Sequence, residues 1–216
     1  MDSKRIYAKI KYINSMKPSI LFCSAGRRGR LLRNAQESIG SKCDINATDN
    51  NATAPALYFA TNEYVVPRIN APEYVDTVID ICKKANVKAI TTLIDPEIEI
   101  LSANRERFLK EGVLPLCPAD EITARCCFDK YEMFKYLTEK GIPTPLTYHD
   151  FDEFKKGVDE GKISFPVFMK PVCGSGSVGA HKVNTMEQAE ADWFSGEHDY
   201  IIQELMTGGD CDADVY

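Results

Sequence analysis

Between Ser19 and Cys117, short apolar runs alternate with stretches of helical period, and no other feature constrains the fold as tightly. Residues 19–23 read as a buried strand. Leu31, Leu32, Ala35 and Ile39 share one face of a helix over residues 27–39, stopped by Gly40. A strand over 43–48 ends in Asp49, and a short one covers 64–67. A helix over 72–84 then places Val75, Val78, Ile79 and Cys82 on one face. Strand 88–94, helix 97–110 and strand 112–117 complete the series. Strands and helices alternating at this pitch predict a parallel sheet covered on both faces.

The turns of that series carry the first candidate residues. Ser24-Ala25-Gly26-Arg27-Arg28 follows the first strand, and Asp49 ends the second. This is the geography of a dinucleotide site without its G-x-G-x-x-G spacing. Two bulky arginines stand where a pyrophosphate needs bare backbone, so NAD is not expected. Arg27 and Arg28 suit a carboxylate or phosphate of some substrate; equally, they are exposed charges. Asp95 and Glu97 lie at a strand's carboxyl end, where such sheets bind ligands. Asp95 is also explained as a helix N-cap, with Pro96 at the first helical position.

The second half has a different grammar. Asp129 caps a helix over 130–140 whose apolar face is Met133, Phe134 and Leu137, ended by Gly141. Pro143 and Pro145 lead into a strand at 146–148, and a helix covers 150–157. Residues 165–169 read as a strand that delivers Lys170-Pro171-Val172-Cys173 to the loop Gly174-Ser175-Gly176-Ser177-Val178-Gly179, with 180–183 as the return strand. A lysine closing a strand before a Gly/Ser loop is a phosphate-binding arrangement. Glycine lets backbone N–H groups approach an anion, and lysine adds a point charge. It is not a Walker A loop, because the lysine precedes the glycines. A helix over 185–194, a strand over 200–206 and a half-buried strand over 210–216 follow.

Composition removes several function classes. The chain has 216 residues, 44% hydrophobic and 27% charged, which is ordinary for a globular protein. A net charge of −6 argues against a general nucleic-acid binder. No apolar run approaches the roughly 18 residues that span a bilayer, and residues 1–17 lack the apolar core of a signal peptide. Eight cysteines stand mostly singly in apolar elements, with no CxxC pair, as reduced thiols in a cytoplasmic protein do.

Taken together, the ordered set of Asp129-Lys130, Gly141-Ile142-Pro143-Thr144-Pro145, Phe168-Met169-Lys170-Pro171 with its glycine loop, and Gln203-Glu204-Leu205 before Gly208-Gly209 resembles the ATP-grasp superfamily. Ser24 to Arg28, Thr48-Asp49 and Asp95-Pro96-Glu97 look like its branch similar to the carbamoyl-phosphate synthase large subunit. The resemblance covers residues 20–216. It implies an extension at 1–17, a Rossmann-like pre-ATP-grasp domain at 18–120, and an incomplete α+β ATP-grasp domain at 121–216 made of a linker helix and the small lobe. Lys130 and Lys170 would contact ATP phosphates, with Gly174, Ser175, Gly176, Ser177 and Gly179 in a mobile flap over them. Gln203 and Glu204 would face the adenine, with Glu204 accepting from its amino group and the Leu205 backbone bonding the ring edge. Asp210, shorter than the family's usual Glu, would hold the ribose hydroxyls. Gly26, Arg27, Arg28, Asp95 and Glu97 are the substrate-side candidates. The sequence ends ahead of the family's Mg²⁺-binding acids, so those ligands are expected outside this chain. The implied reaction activates a small-molecule carboxylate as an acyl phosphate for attack by an amine. A non-catalytic ATP-binding fragment, or half of a split enzyme, is the alternative. A homo-oligomer and a partner chain supplying the missing lobe both stay open.

Overall fold

The computed structural model describes residues 17–118, 120–174 and 176–209. The expected strand over 210–216, with Asp210, lies outside them, as does Ser175. The described residues form two compact units divided between Ala124 and Arg125, a few residues beyond the expected boundary.

In the first unit, β1 (Ser19–Cys23), β2 (Asp44–Asp49), β3 (Asn62–Val65), β4 (Val87–Thr92) and β5 (Leu114–Pro115) form one sheet in the order β3-β2-β1-β4-β5. Every pairing is parallel. Helices α1 (Gly29–Ile39), α2 (Tyr74–Lys84), α3 (Asp95–Ala103) and α4 (Arg105–Lys110) connect them, with a 3-10 turn at Pro55–Phe59. Alternation along β1 sends Leu21 and Cys23 into a core with Tyr74, Val78, Leu101 and Phe108. On the other face, Phe22 packs against Leu32, Ile45, Ala47 and Leu57. Both faces are therefore covered, as the continuous apolar runs require. The order 3-2-1-4-5 reverses direction at β1, which opens a crevice beyond the carboxyl ends of the strands.

Several expected boundaries move, each for a local reason. Helix α1 starts at Gly29 because the turn before it holds Ser24 at φ 48° and Gly26 at φ 54°, which no helix accommodates. The helix expected over 97–110 breaks at Asn104, whose side-chain amide donates to the Ile100 carbonyl at 2.9 Å and whose ψ of 12° is non-helical. Asp95 is not the N-cap of α3. Ile94 occupies that position, its N–H donating to Thr92 Oγ1 at 3.2 Å, and Asp95 sits in the first turn near the helix's positive end. The last strand shrinks to two residues, since Pro115 has no N–H for the ladder.

Helix α5 (Glu121–Phe128) spans the division between the units. The second unit holds α6 (Lys130–Glu139), β6 (Thr147–Tyr148), α7 (Phe151–Asp159), β7 (Val167–Pro171), β8 (His181–Val183), α8 (Met186–Trp193) and β9 (Tyr200–Glu204). Its strands form an antiparallel sheet in the order β6-β9-β7-β8. Val167 and Met169 of β7 bury with Phe151, Phe154, Val183 and Ile202 on one face. Among the described residues, no helix is long and apolar enough to cross a membrane.

Candidate functional site

The second unit gathers a basic cluster around the glycine loop. In β7, Phe168 and Lys170 alternate with the buried Val167, Met169 and Pro171 and so share the opposite face of the strand. Lys130 opens α6, whose start is fixed by Asp129: its Oδ1 accepts from the N–H groups of Tyr131 and Glu132, both at 2.9 Å. The Lys130 backbone N–H donates to the Val172 carbonyl at 3.0 Å. Its Nζ reaches the carbonyls of Val172 at 3.2 Å and Gly174 at 3.1 Å, tying the helix to the base of the loop. Lys130, Lys170, Gly174, Gly176 and Ser177 line one cavity of about 320 Å³ with Phe168 and Val178.

This cavity is electropositive by construction. Burial, and then the charge of Lys130, hold the Lys170 ammonium below the usual lysine range. Among the described residues, Lys170 Nζ has no hydrogen-bond or carboxylate partner. The loop turns through positive φ at Gly174 (138°), Gly176 (67°), Ser177 (58°) and Gly179 (74°). Only glycine takes such values freely, so Ser177 is a non-glycine residue held in the left-handed region. Gly179 itself packs at the root of the loop, where an added Cβ would come within 2.8 Å of the His198 ring and 3.0 Å of Pro171.

The residues expected at the adenine divide. Glu204 and Leu205 line a second cavity of about 300 Å³ with Lys162, Phe165 and Pro166. Glu204 stands opposite Val167 in the β7–β9 pairing. Three residues of strand therefore separate it from the level of Lys170, about 10 Å along the sheet. One Glu204 carboxylate oxygen already accepts from the Leu146 N–H at 3.2 Å. Gln203, opposite Phe168, lies on the lysine face, but it is buried and its amide donates to Thr147 Oγ1 at 2.6 Å.

The first unit holds a larger cavity, of about 470 Å³, at the crevice predicted by the strand order. Asp49 at the end of β2 and Ser24, Val66 and Ile94 from just past the ends of β1, β3 and β4 come to it, and Gly26, Arg28 and Arg68 add to the lining. Arg28 thus lines this cavity, and Arg27 is not in its lining. Asp49 is spent on the loop: Oδ2 accepts from Gly26 N–H at 2.7 Å and Oδ1 from Asn51 N–H at 2.9 Å. Both oxygens are thereby tethered to the loop backbone. Glu97 is not at the cavity either. It is fully buried, and its two oxygens accept from the hydroxyls of Tyr74 and Thr92. Burial first, then neighbouring Cys23 and Glu97, push the Tyr74 phenol far up, so this hydroxyl stays protonated as a donor. Asp95 is exposed and outside the lining. Sequence reasoning missed Arg68, which lies in an irregular segment after β3 with no periodicity to mark it.

Among the described residues, no group of three His, Cys, Asp or Glu side chains could hold a metal ion. No metal ligand is assigned among them. Cys23, Cys43, Cys82, Cys117, Cys126 and Cys127 are free thiols. Burial raises those of Cys23 and Cys117 and pushes Cys82 up to about 12.

Comparison with known proteins agrees with this architecture. Residues 20–116 match the family model described as the PylC-like, N-terminal domain. No curated protein sequence matches the chain. Among solved structures, the N5-carboxyaminoimidazole ribonucleotide synthetase of Thermus thermophilus is 16% identical, with a TM-score of 0.64 over 87% of this chain and 47% of that one. An L-amino acid ligase of Bacillus licheniformis is 17% identical, with a TM-score of 0.65 over 89% and 45%. The biotin carboxylase domain of the Hydrogenobacter thermophilus 2-oxoglutarate carboxylase, solved with MgADP, ADP and bicarbonate, is 17% identical, with a TM-score of 0.64 over 88% and 44%. The chain spans about half the length of these structures. Its fold is that of ATP-grasp proteins: a Rossmann-like parallel sheet followed by an antiparallel lobe that carries the glycine loop.

Proposed function

We propose that this chain is the ATP-binding part of a ligase that activates a small-molecule carboxylate as an acyl phosphate for attack by an amine. One observation carries the reading. Two lysines from different elements and a positive-φ glycine loop converge on one cavity, with Lys170 desolvated and without a partner among the described residues. A polyphosphate relieves that arrangement, because it supplies the negative charge that the two ammonium groups lack. Lys170 and Lys130 would neutralise phosphate oxygens, and loop N–H groups would hold them in place. ATP supplies the phosphoryl group. Neutralising and orienting phosphates is most of what a protein contributes to such transfers.

The base would lie toward Glu204 and Leu205, about 10 Å along β7 from Lys170, with Asp210 toward the ribose. That a biotin carboxylase domain of similar fold was solved with ADP supports a nucleotide ligand. The finer assignment, to the branch similar to carbamoyl-phosphate synthase, rests on the sequence of residues 24–28, 48–49 and 95–97. Buried free thiols support a reducing, cytoplasmic setting. Mg²⁺ would be held by residues outside the described set.

Calorimetric titration of the chain with ATP, with and without Mg²⁺, beside Lys170→Ala tests the reading. Saturable binding lost in the variant is the expected result. Equal binding by both proteins would overturn it.

A further inference from the structure

We infer that the cavity of the first unit is an oxyanion site that takes a small molecule with an apolar body, gripped by Arg28 and Arg68. The cavity lies beyond the carboxyl ends of β1 to β4, at the switch point of a 3-2-1-4-5 sheet, where ligands of such sheets bind. Its volume of about 470 Å³ is that of a small-molecule pocket.

The polar lining defines the ligand's charge. Asp49 is the only acid in the lining, and each of its oxygens accepts a backbone N–H, from Gly26 and from Asn51, so one tethered carboxylate stands against two arginines. Arg28 and Arg68, from separate loops, form no ion pair or side-chain hydrogen bond among the described residues. A guanidinium presents paired donors that match a carboxylate or phosphate edge. Arg28 also immediately precedes α1, an eleven-residue helix without a side-chain cap, so its first N–H groups add positive potential at the same rim. Ser24 holds φ 48° at this rim, a strained value of the kind that clusters at ligand sites.

The rest of the wall defines the ligand's body. Val66, Pro67, Ile69, Tyr74 and Ile94 are apolar, and Tyr74 is pinned from behind by the buried Glu97. A ring or branched chain fills such a wall, whereas inorganic phosphate leaves it wet. Under the ligase reading this is the anionic handle of the carboxylate-bearing substrate. The site itself rests on the first unit alone.

Amide NMR shift perturbation on the full chain tests it, with phenylacetate, phenyl phosphate, inorganic phosphate and neutral phenethyl alcohol as probes. At least one aromatic anion should saturably shift Ser24, Gly26, Asn50 and Ile69, more tightly than inorganic phosphate or the alcohol. Phenylacetate against phenyl phosphate decides whether the handle is a carboxylate or a phosphate. Arg28→Ala and Arg68→Ala should each weaken binding about tenfold, the worth of one charged hydrogen bond. Lys170→Ala should leave it unchanged, which separates this site from the nucleotide reading. No saturable shift by either aromatic anion, equal affinity in both arginine variants and the parent, or equal binding of the alcohol would each overturn the proposal.

Discussion

Replacing Lys170 by Met should make the nucleotide-free protein more stable while it destroys phosphate binding. The side chain is half-buried on β7, burial and the nearby Lys130 charge both disfavour its ammonium, and it makes no hydrogen bond among the described residues that methionine would forfeit. Methionine keeps the length and the apolar stem. Because Lys170 is partly solvated, screening discounts the gain to about 0.5 kcal/mol, typical of one exposed charge pair. For a chain of this size that is about 1–2 °C in melting temperature. The pH dependence has a definite sign. A lysine whose folded pKa is depressed binds fewer protons in the native state than in the unfolded one, so its penalty is fully present below the folded value. The penalty fades as pH rises from there toward 10.5, the ordinary lysine value. The melting advantage of Lys170→Met should therefore be largest near neutrality and shrink as pH rises toward the ordinary lysine value. ATP affinity should fall about tenfold or more with the loss of one charge-assisted contact. Differential scanning fluorimetry across pH, paired with calorimetry, reads both quantities. A variant that melts lower than the parent at neutral pH and still binds ATP would refute the reasoning on both counts.

Other expectations follow from the same geometry. Asp129→Ala removes the acceptor for two N–H groups of α6 and should cost about 1 kcal/mol of stability, read by urea denaturation. Gly179→Ala places a Cβ against His198 and Pro171 at φ 74°; it should cost about 1–2 kcal/mol and weaken ATP binding while Arg68-dependent anion binding persists. In thiol labelling of the native protein near pH 8, exposed Cys127 should react within minutes. Cys82, pushed up to about 12, and buried Cys23 should react only on unfolding, as mass spectrometry of labelled peptides will show.

What the sequence discloses here depends on the range over which each signal acts. The parallel sheet was legible because apolar runs and helical periods are local, and so was the clustering of Lys170 with its own loop. Lys130 is forty residues from Lys170, and only an ordered set of motifs placed it at the same loop. Glu97 misled for the opposite reason. A carboxylate at a strand's carboxyl end looks like a ligand group, and nothing local reveals that the Tyr74 and Thr92 hydroxyls claim it inside the core. Arg68 was invisible because its position at the cavity comes from the sheet order, which brings the chain after β3 to the same rim as the turn after β1, with β2 between them. Helix α5 escaped notice as well. Its start is set by Asp120, whose carboxylate accepts from Thr123 N–H at 2.7 Å and is thereby held below the usual range.

The glycine loop is fastened at both roots. On one side Lys130 holds the carbonyls of Val172 and Gly174. On the other, His181 pairs Nδ1 with the Gly179 carbonyl at 3.0 Å and Nε2 with Asp192 at 2.9 Å. A strap clasped at both ends has few conformations to lose. Fixing one residue's backbone costs roughly 1–2 kcal/mol of entropy, so the ordering penalty for enclosing a phosphate is confined to the short span between the clasps. Insertions within that span would tune how slowly a nucleotide leaves, whereas changes at either clasp would spread the penalty into β7 and β8.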